Sequence, residues 1–123
     1  WIEARNRVAR LHRSRLGGIE GIRPPKVRGD VRHAFHLFVI RTDRRDELAE
    51  HLKRAGIQTG VHYPIALPRL TAYAYLGQVE EPMQANRMDV QLLSLPIGEH
   101  LTETDVLTVI EAVRSFFASP RRG

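Results

Sequence analysis

The side chains of this sequence that are best suited to binding or chemistry are adjacent, in the stretch His62-Tyr63-Pro64. Histidine has ring nitrogens that donate or accept a hydrogen bond, and tyrosine adds a hydroxyl on a rigid ring. The pair ends an apolar segment, residues 57–63, which predicts a strand, and an irregular loop follows. Binding residues often lie where a loop leaves a rigid element. The residues alone leave a second interpretation open, in which the histidine is a hydrogen-bonded core residue and the tyrosine only packs.

Two further histidines, His33 and His36, suggest a metal site that His62 would complete. A zinc site needs three or four ligands that converge, and the sequence has no cysteine and no convincing fourth ligand. Side chains three residues apart on an extended strand also point to opposite faces. We therefore expect no metal, with His33 exposed and His36 beneath a neighbouring element.

Covalent catalysis has no complete set of residues here. None of the four serines lies in a G-x-S-x-G turn. Only Lys26 and Lys53 could form a Schiff base, and we expect one in a connector and the other on a solvated helix face, where burial would not activate it. The glycines Gly17, Gly18 and Gly21 follow a helix rather than a strand, which is the wrong place for a phosphate-binding loop.

Length and composition place these residues in one globular domain. The chain has 123 residues, of which 42% are hydrophobic and 27% charged, as in ordinary globular proteins. It contains neither a run of about 18 apolar residues nor a signal-peptide pattern, so we expect a cytoplasmic protein that does not enter a membrane. The sequence opens at Trp1 inside a helical pattern, and we expect it to be a piece of a longer protein.

Positive charge is concentrated in residues 1–28, with eight Arg and Lys against two Glu. The arginines surround an apolar stripe, and no aromatic residues are interleaved for base stacking. This pattern favours a solvated helix face, while nucleic-acid binding stays an alternative that would show a steep salt dependence. The lack of a complete catalytic set leaves a second alternative, a non-catalytic α/β interaction or regulatory module.

The elements that must position His62 and Tyr63 are short and are separated by Gly and Pro. Apolar spacings of three and four predict helices, and short β-branched runs predict strands. Together they predict a single domain of the α/β class, an α+β sandwich with helices packed on a small sheet. The predicted helices cover residues 1–16, 44–54, 83–91 and a segment that begins after Thr102, and the predicted strands cover residues 35–40, 57–63 and 93–97.

Local signals predict how these elements begin, end and pack. Gly17 and Gly18 should end the first helix in the left-handed conformation, and Thr42 or Asp43 should cap the second. Thr102-x-x-Asp105 is typical of a capping box. The last helix should bury Val106, Val109, Ile110, Val113 and Phe117, the third helix should bury Ala85, Met88 and Leu92, and Tyr73 and Tyr75 should fix the loop over residues 64–82 to the core.

Three stretches together resemble one enzyme family. They are Phe35-His36-Leu37-Phe38-Val39-Ile40-Arg41, then Gly56-Ile57-Gln58-Thr59-Gly60-Val61-His62-Tyr63-Pro64, then Leu93-Ser94-Leu95-Pro96-Ile97 with Thr102-x-x-Asp105 behind it. This combination resembles the carboxy-terminal domain of the DegT/StrS family of pyridoxal-phosphate-dependent sugar aminotransferases. The resemblance covers nearly the whole chain.

The resemblance implies that residues 1–123 are the small domain of an aspartate-aminotransferase-like enzyme of fold type I. In this family a large domain carries the lysine that binds pyridoxal 5'-phosphate, so neither Lys26 nor Lys53 is assigned that role, and no cofactor-binding residue is expected here. His62 and Tyr63 would be substrate-binding residues that orient a nucleotide-linked keto-sugar. The implied partners are that sugar, an amino donor and a second copy in a homodimer, with no nucleic acid and no membrane.

The sequence departs from the family in the loop after Pro64. Where the family often has a second histidine and a glutamine, this chain has Pro68 and Leu70. Two hydrogen-bonding side chains are therefore missing on the substrate side, which leaves the identity of the sugar, and activity itself, open to test. Arg69 is a candidate to meet a phosphate of a nucleotide-linked sugar instead.

Overall fold

Four helices, two strands and two 3₁₀ helices make up the domain in the computed structural model, which describes residues 1–119. The sequence predicts a terminal tail over residues 119–123, of which residues 120–123 lie outside the described residues. The elements are α1 (Ile2–Leu16), β1 (Phe38–Arg41), α2 (Arg45–Arg54), the 3₁₀ helices Leu67–Arg69 and Thr71–Leu76, α3 (Gln84–Met88), β2 (Leu92–Leu95) and α4 (Glu103–Ala118).

The sheet is small and antiparallel. Strand β1 pairs with β2 so that Phe38 faces Leu95 and Arg41 faces Leu92. Single bridges extend this pair on both sides, because Arg23 pairs with Arg41 and Gly60 pairs with Ser94. The segment that leads to the candidate site is thus attached to β2 at one residue.

The core forms where the helices meet this sheet. Helix α4 packs against both α1 and α2, and α2 also contacts β2. The side chains of α4 that face the core are Val106, Val109, Ile110, Val113 and Phe116. The α+β class with helices packed on a small sheet is therefore confirmed, although the last core residue of α4 is Phe116 and Phe117 is only partly buried.

The predicted capping box at the start of α4 is present. Thr102 Oγ1 accepts from the Asp105 backbone N–H at 3.1 Å, and Asp105 Oδ2 accepts from the Thr102 N–H at 2.8 Å. Hydrogen bonds from the Thr102 hydroxyl and backbone N–H lower the pKa of Asp105 below its usual value. Helix α2 carries an i,i+4 ion pair between Glu50 and Arg54, at 3.4 Å.

Other helix ends differ from the predictions. Gly17 keeps the right-handed conformation, with φ −64°, and its N–H bonds to the Arg13 carbonyl, so α1 ends without a left-handed glycine. Helix α2 has Arg44 at its N-cap and no side-chain cap, because the Thr42 hydroxyl accepts from the Arg44 N–H in a local turn instead. Gly56, which follows α2, does adopt a positive φ of 77°.

Two of the predicted strands differ from the observed structure. Strand β1 begins at Phe38 because Phe35 has a φ of +47° and donates its N–H to His33 Nδ1, which removes it from any ladder. The predicted strand over residues 57–63 is wrong, since only Gly60 pairs with the sheet. After Gly60, contact with β2 is made by a side chain, that of His62, instead of by the backbone.

The segment between residues 64 and 91 differs most from expectation. Helix α3 is five residues long, and Ala85 is exposed while Met88 is only half-buried. Leu92 belongs to β2 and not to a helix. Tyr73 and Tyr75 are both exposed and do not fix the loop to the core. Within residues 1–119, no helix is long and apolar enough to span a bilayer.

Candidate functional site

His62 and Tyr63 lie side by side on the surface, immediately after the point where the chain is attached to β2. Both side chains are exposed, Tyr63 by 77%. Their ring centroids are 5.9 Å apart and the rings are nearly perpendicular, at 84°. The peptide bond between the two residues is cis. The pair presents one titratable ring and one phenol to whatever binds above this edge of the sheet.

The imidazole of His62 is held from below by a buried serine. His62 Nδ1 lies 2.9 Å from Ser94 Oγ, and Ser94 belongs to β2. Sequence reasoning considered Ser94 only as a nucleophile and missed this contact. The available signal was a single hydroxyl in the otherwise apolar strand sequence Leu92-Leu93-Ser94-Leu95.

Tyr63 also forms part of the wall of an apolar groove of about 590 Å³. One charged side chain, Asp89, is among the residues that line it. A groove of this size and character suits the flat or apolar face of a ring, with polar groups at its rim setting orientation. The lining residues are Tyr63, Pro64, Ile65, Ala66, Leu67, Leu70, Ala85, Asp89 and Leu92.

Asp89 fixes the loop that forms one side of this groove. It is 5% exposed, and its carboxylate accepts from the Ala66 N–H at 3.0 Å and from Arg69 Nη1 at 2.9 Å. Arg45 donates to the Asp89 carbonyl oxygen at 2.8 Å. A buried carboxylate needs such partners, because an unpaired one would pay its full desolvation cost. Sequence reasoning missed Asp89 as well.

Arg69, the candidate for a phosphate contact, forms an ion pair with the buried Asp89. Its own side chain stays 43% exposed. The two positions where the chain departs from the family pattern are structural in the same loop. Pro68 lies in the first turn of the 3₁₀ helix Leu67–Arg69, and Leu70 lines the groove.

Large apolar side chains are exposed along the same segment. Soluble proteins seldom leave such a group uncovered, and exposed apolar patches usually mark interaction sites. We refer to this group as the 63–79 surface. Its members are Tyr63, Ile65, Leu67, Tyr73, Tyr75, Leu76 and Val79.

The histidines considered as metal ligands do not converge. Within residues 1–119, no three His, Asp or Glu side chains are grouped so that they could hold a metal ion. His33 is exposed, as expected, and its ring lies 4.1 Å from that of Phe35. His36 is exposed rather than beneath a neighbouring element. The contact of His36 with a neighbouring element is made by its backbone, because Arg5 donates to the His36 carbonyl oxygen at 3.1 Å.

Neither lysine fits a pyridoxal phosphate site. Lys26 lies exposed in the connector before β1, and Lys53 lies exposed on α2. A Schiff-base lysine is activated by burial or by a neighbouring cation, and both side chains are in water. Neither lysine therefore has the surroundings that activate a Schiff-base lysine.

One buried histidine is outside this surface. His12 on α1 is fully buried, its ring stacks on Phe38 at 4.9 Å, and its Nε2 lies 3.1 Å from the Pro96 carbonyl oxygen. Burial lowers the pKa of His12 below its usual value, against the opposing effect of the Pro96 hydrogen bond. His12 is thus a neutral core residue that joins α1 to the end of β2.

Comparison with known sequences identifies relatives along nearly the whole chain. The profile of the DegT/DnrJ/EryC1/StrS aminotransferase family matches residues 1–114. A dTDP-3-amino-3,4,6-trideoxy-alpha-D-glucose transaminase of Streptomyces venezuelae is 41% identical over 94% of this chain and 31% of its own length. The erythromycin biosynthesis sensory transduction protein EryC1 of Saccharopolyspora erythraea is 35% identical over 94% of this chain and 32% of its own length.

Solved structures show the same relationship. The crystal structure of DesV from S. venezuelae superposes on 98% of this chain and 33% of its own, with a TM-score of 0.91 and 39% sequence identity. The chain thus spans about a third of the length of the curated relatives that it matches.

Proposed function

Because this chain belongs to the DegT/DnrJ/EryC1/StrS aminotransferase family, we propose that it forms the small domain of an aminotransferase that acts on a nucleotide-linked keto-sugar. The observation that carries this proposal is the placement of Tyr63 in the wall of the apolar groove, with the ring of His62 beside it. A sugar ring has flat apolar faces and a rim of hydroxyl and carbonyl groups. The groove suits the former, and the two side chains suit the latter.

The cofactor of this reaction would be pyridoxal 5'-phosphate, as the family resemblance implies. Since Lys26 and Lys53 are both exposed, we propose that the Schiff-base lysine lies outside residues 1–123. The match to about a third of each relative's length supports the same view. The residues of this chain would then act on the sugar side of the site and not on the cofactor.

Within that site, His62 and Tyr63 would bind and orient the sugar. His62 offers its Nε2, which pairs with no described residue, and Tyr63 offers a phenol hydroxyl that donates or accepts. Orientation of a bound substrate contributes to rate by holding the reacting atoms in register. The hydrogen bond from the Ala66 N–H to the Asp89 carboxylate would keep the loop in place while the sugar binds.

The 63–79 surface would be the contact area between this domain and the rest of the enzyme, including a second copy in a homodimer. All of its members are exposed, and three of them, Tyr63, Ile65 and Leu67, line the groove. A cover over this surface would also exclude water from the groove. A cytoplasmic location stays a prediction.

The experiment is a transamination assay of the complete natural protein with nucleotide-linked keto-sugars and a panel of amino-acid donors. The dTDP-linked sugars come first, because the relative with 41% identity is named for one. We expect His62→Ala to lower kcat/KM by roughly three- to tenfold, the size of one lost hydrogen bond. The control is His36→Ala, which removes another exposed histidine.

Two results would contradict the proposal. One is an unchanged kcat/KM for His62→Ala in an enzyme that is otherwise active on keto-sugars. The other is a complete natural protein that contains no lysine able to bind pyridoxal phosphate.

A further inference from the structure

Ser94 contacts both the backbone before His62 and the ring of His62. It is 5% exposed in β2, and its N–H and C=O both pair with Gly60, at 2.7 and 3.1 Å. Two residues later the chain returns to the same serine, with His62 Nδ1 2.9 Å from Ser94 Oγ. Ser94 thus holds the chain at Gly60 and again at His62, on either side of a short turn.

The ring of His62 packs closely because residue 60 has no side chain. A Cβ atom at Gly60 would overlap His62 Cε1 and would lie 3.1 Å from Nδ1. The imidazole therefore lies against the backbone of Gly60, and Ser94 bounds its Nδ1 edge. Backbone and hydroxyl together leave the ring little freedom to rotate.

The contact at Nδ1 leaves the other ring nitrogen available. A serine hydroxyl both donates and accepts, so this contact suits either tautomer of the imidazole, and Nε2 can accept or donate a further hydrogen bond. None of the described residues pairs with Nε2, and the His62 side chain is exposed. Nε2 is the nitrogen that a bound molecule would meet.

We propose that Ser94 is a positioning residue for substrate recognition: its hydroxyl fixes the orientation of the His62 ring, so that Nε2 is presented to the sugar in one direction. The identity of the molecule at Nε2 rests on the proposed function. The Ser94–His62 contact does not, and it is tested separately below.

The first test is a double-mutant cycle on kcat/KM in the complete natural protein. Ser94→Ala removes one oxygen and leaves both backbone bonds to Gly60 in place. We expect it to lower kcat/KM by roughly three- to tenfold, chiefly through KM. In a His62→Ala background the same change should have no further effect, because Ser94 would act only through the ring. A loss of equal size in both backgrounds would overturn the proposal.

The second test does not depend on activity. NMR of labelled histidine in the complete protein reports the orientation of each imidazole through three-bond couplings and nuclear Overhauser effects, and the His62→Ala variant assigns the His62 signals. We expect one dominant orientation of the His62 ring in the natural protein and averaging over several in Ser94→Ala. Unchanged His62 signals in Ser94→Ala would overturn the proposal, whatever the kinetics show.

The chain offers a matched control for both tests. Ser115 Oγ lies 3.2 Å from His51 Nε2, a second serine–histidine contact between α4 and α2. Ser115→Ala should leave kcat/KM and the His62 signals unchanged. If His62→Ala itself leaves the kinetics unchanged, the proposed function fails. The NMR result then decides alone whether Ser94 fixes the ring.

Discussion

Two regions of this domain use their apolar residues in opposite ways. In the first, made of α1, β1, α2, β2 and α4, the large apolar side chains meet one another, and Phe38, Ile40 and Ile110 are fully buried. In the second, the 63–79 surface, apolar side chains of similar size face outward, and Tyr75 is 80% exposed. Short 3₁₀ helices replace regular elements there.

The difference indicates where each region finds its packing partners. The first region is completed within the chain, so its stability depends on its own core. The second is held by polar contacts, with the buried Asp89 as the anchor of Ala66 and Arg69 and with Asn86 bonded to the carbonyl oxygens of Gln78 and Val79, while its large apolar side chains are exposed. Residues of this kind are expected where the surface is covered by another domain or subunit.

The largest expected effect separates the two regions by stability. Phe38→Ala should lower the free energy of unfolding of the 123-residue chain by about 3 to 5 kcal/mol, because it leaves a cavity in a packed core. Tyr75→Ala should change it by less than about 0.5 kcal/mol, because the ring is in water. Urea unfolding followed by circular dichroism measures both. Equal losses for the two variants would remove the distinction between the regions.

The next effect concerns the anchor of the second region. Asp89→Ala leaves the Ala66 N–H without its acceptor and Arg69 without its partner, so we expect a loss of about 2 kcal/mol. Proteolysis should then cleave first within the loop that holds Ala66. The control is Asp46→Ala, which removes an exposed carboxylate beside Arg45 and should cost less than about 0.5 kcal/mol. If both variants lose the same amount, Asp89 is not the anchor.

The smallest expected effect is the pH dependence of the first region. The folded state holds the pKa of His12 below the usual 6.5, so below that pH the unfolded chain binds a proton that the folded chain does not. Stability should therefore be complete above pH 6.5 and fall as the pH drops, by at most about 1.4 kcal/mol per pH unit for one proton.

Unfolding midpoints between pH 5 and 8 measure this dependence. His12→Gln cannot titrate and should remove the part of the slope just below pH 6.5. An identical slope in that variant would show that other groups cause it.

The sequence was sufficient where packing within the chain decides structure. The apolar period of α4 and its capping box at Thr102 and Asp105 were both predictable, because each signal is local and is used inside the domain. Strand β1 was predictable only in part. Phe35, in the predicted strand, has a positive φ and donates its N–H to His33 Nδ1, so it does not join the sheet.

Around the site, sequence reasoning identified the exposed residues and missed the buried ones that hold them. His62 and Tyr63 were visible because their types and position suit binding. Ser94 and Asp89 were not, because their roles depend on partners 32 and 23 residues away along the chain. The sequence around Tyr73 and Tyr75 is the same whether these side chains pack on their own core or on another domain, so it could not predict their exposure.

Hydroxyl-radical footprinting of the complete natural protein tests most directly whether the 63–79 surface is covered there. Leu76 and Val31 offer a matched pair, because each is 49% exposed in this chain and only Leu76 belongs to that surface. We expect Leu76 and Tyr75 to be modified far less than Val31. Modification of Leu76 and Tyr75 as strong as that of Val31 would contradict it, since the surface would then stay open to water in the complete protein.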